Sequence, residues 1–387
     1  GTITDDDAAP TISTITSPSA TEGSDLVYTA TLSNASSIDT SYPFSLGGGS
    51  ASAGDFGVPT FSNGVTLVAG NLIVPAGVTS FTVTVPSTSD AVAEGNEFVP
   101  ITIGAASATG TIVDDDGVPT IASVTSDTQN EGVDLIHTVT LSNSSASITT
   151  YSLSLVDGTA TGSGTDYTST LLNANFSNGV TISGGTITVP AGVTSFTVTV
   201  PTTSDTIDEA NETYTLNVGA ASGTGTITDD DAAPTISSVT ADTQTEGTDL
   251  VHTVTLSNAS SSSTSFAYSL GGGSATGGGT DYTTPPTFSN GVTLVAGNLI
   301  VPAGVTSFTI TVPTTLDTID EGASETYSVS VGGVSNTGTI TDDDNAPTIS
   351  SVSDASATEA TSIVHTVTLS NASSVATTYS LSLVDGT

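Results

Sequence analysis

Three adjacent carboxylates close the same short phrase four times: Gly1-Thr-Ile-Thr-Asp5-Asp6-Asp7, Gly110-Thr-Ile-Val-Asp114-Asp115-Asp116, Gly225-Thr-Ile-Thr-Asp229-Asp230-Asp231 and Gly338-Thr-Ile-Thr-Asp342-Asp343-Asp344. Like charges this close repel unless a cation sits among them. The chain contains no Lys and no Arg, so the cation must come from solution. A cluster of hard oxygen donors without basic partners suits calcium, which takes 6–8 oxygens in flexible geometry, better than magnesium, which keeps its water. The bland alternative is a solvated acidic surface, the ordinary fate of a charge run. Recurrence of the pattern in several loops of independent repeats favours coordination.

The elements that must position these acids follow from the spacing. Successive triplet phrases begin 109, 115 and 113 residues apart, each about the length of one small domain. The chain therefore reads as a tandem array: 1–7 as the last strand of a preceding repeat, 8–116, 117–231 and 232–344 as whole repeats, and 345–387 as the N-terminal part of a further one. It resembles a window cut from a longer protein. In the middle repeat, period-two alternation bounded by Gly, Pro, Asn and Ser marks strands A (120–125), B (134–141), C (150–155), D (186–189), E (195–200), F (213–218) and G (225–228). No segment shows helical periodicity. Seven short strands in such a length predict an all-β fold of tandem immunoglobulin-like antiparallel β-sandwiches forming an elongated rod. Between C and D, Asn178-Gly179 predicts a tight hairpin.

If successive strands alternate in direction, the A–B, C–D and E–F loops share one pole with the residues after G. In the middle repeat the acids sort onto that pole: Glu131, Asp166, Asp205, Asp208, Glu209, Glu212 and Asp229, Asp230 and Asp231. The opposite pole carries Asn143-Ser-Ser, Pro190-Ala-Gly and Ala221-Ser-Gly and no acid. The matching candidates in the first repeat are Glu22, Asp55, Asp90, Glu94, Glu97, Asp114, Asp115 and Asp116. In the third they are Glu246, Asp281, Asp317, Asp320, Glu321, Glu325, Asp342, Asp343 and Asp344. Nine carboxylates plus loop carbonyls would hold roughly two to four calcium ions. Ala93 replaces Asp208 in the first repeat, which predicts fewer or weaker ions there. One extra residue between Glu321 and Glu325 predicts a slightly different third site.

The run Asp157-Gly-Thr-Ala-Thr-Gly-Ser-Gly-Thr-Asp166-Tyr167, then 187–200, then Asp205-Thr-Ile-Asp208-Glu209-Ala-Asn-Glu212, then Gly225-Thr-Ile-Thr-Asp229-Asp230-Asp231 resembles a Calx-beta domain, and the resemblance covers essentially the whole chain. It implies a calcium-binding immunoglobulin-like sandwich whose ligands are the A–B glutamate, the C–D aspartate, the acidic E–F loop and the terminal aspartates. It also implies a large extracellular, adhesin-like bacterial surface protein as the setting.

Composition bounds the partners. A formal charge of −39 over 387 residues, without one Lys or Arg, excludes nucleic acid and anionic membrane surfaces as partners of this segment. There is no Cys and hence no disulfide or thiol chemistry. No apolar stretch reaches the roughly 18–20 residues of a membrane span. His137, His252 and His365 share one position of strand B with Tyr28, which marks a satisfied core residue rather than a metal ligand. No Ser has a His and an acid at nearby loop positions, and paired carboxylates without Trp lack the sugar-lined cleft of a glycosidase, so no enzyme activity is expected. Gly271 to Gly279 has no Lys after it and is a flexible connection, not a phosphate cradle. Asn34, Asn143, Asn211, Asn258 and Asn371 each begin a glycosylation sequon, four of them at one B–C turn, where Asn-x-Ser is also turn chemistry.

Short Pro-ended linkers after the Asp triplets predict junctions that bound ions would lock. The expected function is a calcium-stiffened stalk or spacer in an extracellular, cell-surface fibrous or adhesion protein. A ligand-gripping module and lateral homo-association into fibres or a sheath are the alternatives.

Overall fold

The computed structural model describes residues 1, 2 and 6–385. Ile3, Thr4 and Asp5 lie outside them, and with these most of the strand expected in 1–7. By contacts the chain forms two units, residues 1–203 with 212–227 and residues 204–211 with 228–387.

Within the first unit lie two pairs of facing sheets. The first pair has a four-stranded sheet and a six-stranded sheet between Ile12 and Val113. The second comprises Ile121–Val124, Leu135–Leu141 and Ser195–Val200 (A, B, E) against a six-stranded sheet. That larger sheet runs in the order Asp127–Asn130, Ala221–Thr228 (G), Glu212–Val218 (F), Thr149–Asp157 (C), Thr186–Val189 (D) and Thr181–Ser183. The second unit repeats the same two sheets between Ile236 and Thr341, then adds a two-stranded ladder of Ile349–Val352 with Val367–Leu369. Every expected strand of the middle repeat is present, and G begins earlier than expected because Val218 and Ala221 pair directly across a two-residue turn.

A–B, B–E, C–D, C–F and F–G pairs are all antiparallel. Chain direction therefore alternates between neighbouring strands within each of these sets. Alternating side chains build each core. Leu135, Val139, Phe196, Val198, Tyr214 and Leu216 interdigitate in the middle repeat, with equivalent sets around Phe81 and Phe308. At this density of burial each large apolar side chain contributes about 1.5–3 kcal/mol.

One expectation is corrected. Asn178-Gly179, like Asn63-Gly64 and Asn290-Gly291, has positive φ at both residues, but it closes no hairpin. The residues before it pair with strand E: Phe176 with Val198, Thr60–Phe61 and Thr287–Phe288 likewise. The residues after it join the other sheet. The turn thus carries the chain from one sheet to the other, and the Asn178 amide donates to Ser195 O at 2.7 Å to hold the corner on strand E. The hairpin turns lie further on, at Ala69-Gly70, Gly184-Gly185 and Ala296-Gly297, all with positive φ.

Candidate metal centre

A short strand that the sequence hides sets the position of the A–B glutamate. Ser19–Thr21 runs parallel to strand G in the first repeat, and Asp242–Thr245 does so in the third. The peptide N–H of Glu22 then donates to Val113 O at 3.0 Å, and that of Glu246 to Thr341 O at 3.1 Å. Each glutamate is thereby fixed beside the first aspartate of the triplet. Polar residues fill this strand, so alternation of apolar side chains could not reveal it. In its counterpart Asp127–Asn130 the acid is a bracket: Asp127 accepts the N–H groups of Ile136 (2.7 Å) and Thr128 (2.9 Å). Burial alone would raise the Asp127 pKa, but these donors outweigh it and the net direction is down.

Within single units, three groups of carboxylates converge: Glu22, Asp114 and Asp116; Glu246, Asp342 and Asp344; and Asp281, Glu321 and Glu325. Each residue brings one oxygen within 4.8 Å of the others in its group. Calcium–oxygen distances of about 2.3–2.6 Å place two ligands of one ion at most roughly 5 Å apart, so the spacing is that of a shared cation. The first and third residues of a triplet meet in each of the first two groups, and the second stays close by: the Asp343 side chain hydrogen-bonds Glu246. Asp342 is held by the N–H groups of Glu321 (3.1 Å), Gly322 (3.2 Å) and Asp344 (3.0 Å). In the first repeat Asp114 accepts the N–H groups of Glu94 (3.1 Å) and Asp116 (3.4 Å).

The donor set fits calcium on a further ground. Asp116 Oδ2, Glu246 Oε1, Glu325 Oε2 and Asp344 Oδ2 are buried without a hydrogen-bond partner. Unpartnered buried carboxylate oxygens are costly unless a cation meets them. The neighbours are acids, and the pKa values respond. Burial, then the hydrogen bond and charge of the Asp343 side chain with those of Asp317 and Asp344, push Glu246 up to about 7. Burial and Asp281 push Glu325 up to about 7, and burial and Asp55 do the same to Glu97. Glu22, Glu94, Glu321, Asp116 and Asp344 are raised by burial and neighbouring carboxylates.

The remaining predicted acids take other places. Asp90 and Asp317 brace their own turns by accepting the N–H groups of Val92 (2.8 Å) and Ile319 (2.7 Å), and the Asp90 N–H points to Glu22 Oε1 at 3.4 Å. Asp55 accepts Ser52 N–H and shares a hydrogen bond with Glu97. Asp115 contributes its charge beside Glu22. The middle-repeat acids divide between the units: Glu131, Asp166 and Glu212 in the first, Asp205, Asp208, Glu209, Asp229, Asp230 and Asp231 in the second. Asp166 accepts Thr161 N–H at 2.5 Å, Asp205 accepts Ile207 N–H at 2.8 Å, and Asp229 accepts Asp231 N–H at 3.4 Å.

Asp208 and Asp320 hydrogen-bond serines instead: Ser260 Oγ donates to Asp208 Oδ2 at 2.8 Å and Ser373 Oγ to Asp320 Oδ2 at 2.7 Å, while the Asp320 charge still bears on Asp344. The Ala93 replacement therefore leaves Glu22, Asp114 and Asp116 together, and the longer third loop, bent at Gly322 (φ +69°), still brings Glu325 to Asp281. The histidine reading holds in the two complete repeats that carry it. His137 and His252 are fully buried, with Nδ1 on Thr125 O and Thr240 O (2.7 Å each) and Nε2 on the hydroxyls of Tyr214 and Tyr327 (2.9 Å each). In the first repeat Tyr28 reaches Val99 O itself. The sequon amides at the B–C turn serve the linkers: Asn143, Asn258 and Asn371 donate to Gly117 O (2.9 Å), Ala232 O (2.8 Å) and Asn345 O (2.9 Å).

Repeated immunoglobulin-like sandwiches with carboxylate groups at one pole define the class of this protein. The model of the Calx-beta domain matches residues 114–243 and 229–355, more than half of the chain, and the chain belongs to the Calx-beta family. Among solved structures it is similar to CBD12 from CALX1.2 (16% identity, 53% of this chain and 76% of that one, TM-score 0.23). It is likewise similar to the calcium binding domain CBD12 of CALX1.1 (15%, 54% and 79%, TM-score 0.23) and to an I-band fragment of titin (13%, 88% and 99%, TM-score 0.24). No curated protein matches the chain.

Proposed function

We propose that this chain binds calcium at the carboxylate poles of its repeats, taken as 8–116, 117–231 and 232–344, and serves as a calcium-stiffened spacer of an extracellular surface protein. The carrying observation is the convergence of acidic oxygens, four of them buried and unpartnered, in a chain without one Lys or Arg. Glu22, Asp114 and Asp116 would hold one ion, Glu246, Asp342 and Asp344 a second, and Asp281, Glu321 and Glu325 a third. A bound ion supplies the positive charge that the polypeptide lacks. The protein contributes fixed positions: backbone donors orient Asp114 and Asp342, and the parallel ladder with strand G aims the glutamates. Ligation would tie the A–B loop, the E–F loop and the exit of strand G into one body just before the Pro-ended linker. Extracellular modules bind calcium at about 10⁻⁴–10⁻³ M, a range that tolerates partly exposed acids such as these.

Small-angle scattering of the full chain in millimolar calcium and in chelator tests the stiffening. The expected result is a larger maximum dimension and a narrower spread of shapes with calcium. Identical profiles would refute it.

A further inference from the structure

Three contacts of one design recur outside the carboxylate groups. In the first unit, Val92–Ala93 of the E–F loop runs parallel to Ser144–Ser145, the B–C turn of the following repeat. In the second unit, Ile207–Asp208 pairs with Ala259–Ser260, and Ile319–Asp320 with Ala372–Ser373, in the same register. The peptide N–H after each serine donates to the carbonyl of the facing residue: Ala146 to Ala93 (3.0 Å), Ser261 to Asp208 (2.9 Å) and Ser374 to Asp320 (2.9 Å). Two of the three carry an added link from the serine hydroxyl to the aspartate carboxylate, at 2.8 Å and 2.7 Å. Asp320, Ser260 and Ser145 are all at least nine-tenths buried. Where Ala93 stands, the Ser145 hydroxyl donates to the Ala93 carbonyl at 3.2 Å and accepts the Ser147 N–H at 3.1 Å, with no carboxylate to meet.

We infer that the second residue of this two-residue strand is a repeat-to-repeat latch, closed by an aspartate–serine hydrogen bond, and that Asp208 and Asp320 act as positioning residues rather than metal ligands. Strand alternation gives the reason. Asp320 and Glu321 are consecutive and point to opposite sides, Glu321 into a carboxylate group and Asp320 onto the next repeat's serine. The end of one short strand and the residue after it thus carry the neighbour-facing and the ion-facing side chain, and ordering either orders the other. The serine side is anchored too. Gly192 N–H donates to Ser145 O (2.8 Å) and Gly304 N–H to Ser260 O (2.9 Å), tying the turn to its own D–E loop. The junctions are consequently graded: the backbone ladder with a hydroxyl-to-carbonyl bond at Ala93, and the same with a charge-assisted hydrogen bond added at Asp320. The inference rests on the reading of these segments as successive repeats and holds whether or not calcium binds.

The chain has no cysteine, so introduced pairs can be spin-labelled uniquely. Val58→Cys with Ile148→Cys spans the first junction, and Val295→Cys with Val352→Cys the last; all four positions are exposed. Distance distributions are recorded throughout in chelator. Ala93→Asp should narrow the first distribution, and Asp320→Ala or Ser373→Ala should broaden the last, with a roughly tenfold rise in the open population. Calorimetric titration of Asp320→Asn should leave the number of bound calcium ions unchanged. Unchanged distributions in both Ala93→Asp and Ser373→Ala would overturn the latch. Loss of an ion in Asp320→Asn would make that residue a ligand and overturn the assignment separately.

Discussion

The first and third repeats share strands, sheets and most of their acids, yet they assemble those acids differently. In the third, two groups form, and Glu246 and Asp281 are buried. In the first, among the described residues, Glu22, Asp114 and Asp116 alone meet within 4.8 Å, while Asp55, Glu94 and Glu97 do not close into a second group. The cores differ in the same way. A single Tyr28 spans the space that the pair His252 and Tyr327 fills in the third repeat. A common fold thus fixes where the loops emerge, and loop detail decides how many carboxylates converge.

The core half of this comparison should give the largest effect. His252→Ala removes a fully buried ring and strands the Tyr327 hydroxyl, and should cost about 2–4 kcal/mol in denaturant unfolding. Tyr28→Phe loses one hydrogen bond and should cost only about 1 kcal/mol. Equal costs would show that the two arrangements are not equivalents.

The ligand half comes next. Asp281→Asn should weaken calcium binding by roughly tenfold, because a charged member of a closed group is lost. Asp55→Asn, outside any such group, should change affinity less. The reverse ranking, read by calorimetric titration, would break the comparison.

Smaller and common to both repeats is the pH response without calcium. Glu97, Glu246 and Glu325 sit at about 7 in the folded chain against 4.5 ordinarily. Between those values the folded state keeps protons that the unfolded chain releases, so stability is greatest near the lower value and declines as pH rises through 7. In chelator, the unfolding temperature should fall from pH 5 to pH 8; calcium should reverse that trend by taking the place of the protons. A rise in chelator would contradict the crowding of carboxylates.

Much of this was legible in the sequence because the acids obey strand parity: alternation alone assigned the loops to poles, and in the third repeat Glu246 meets Asp342 and Asp281 meets Glu321. The tyrosine at position 28 likewise identified its histidine counterparts as core residues. Three features were not legible. The parallel strand Asp242–Thr245 is polar on both faces, so it carries no hydrophobic period. Asn178-Gly179 specifies positive φ at two residues, but local sequence does not say whether the flanking segments pair with each other or with different sheets. The role of Asp208 and Asp320 depends on a serine about 50 residues away, in a turn whose Asn-x-Ser signature was equally consistent with glycosylation.

Calcium titration of the full chain by calorimetry, paired with thermal unfolding, tests the central claim most directly. Three groups lie within single units, so about three ions or more should bind. Calcium at a hundred times its dissociation constant should add about 2.7 kcal/mol per site, or roughly 10 °C or more in the unfolding of a single repeat. Magnesium should not substitute. An absence of binding heat into the millimolar range, with unfolding temperatures identical in calcium and chelator, would contradict the account.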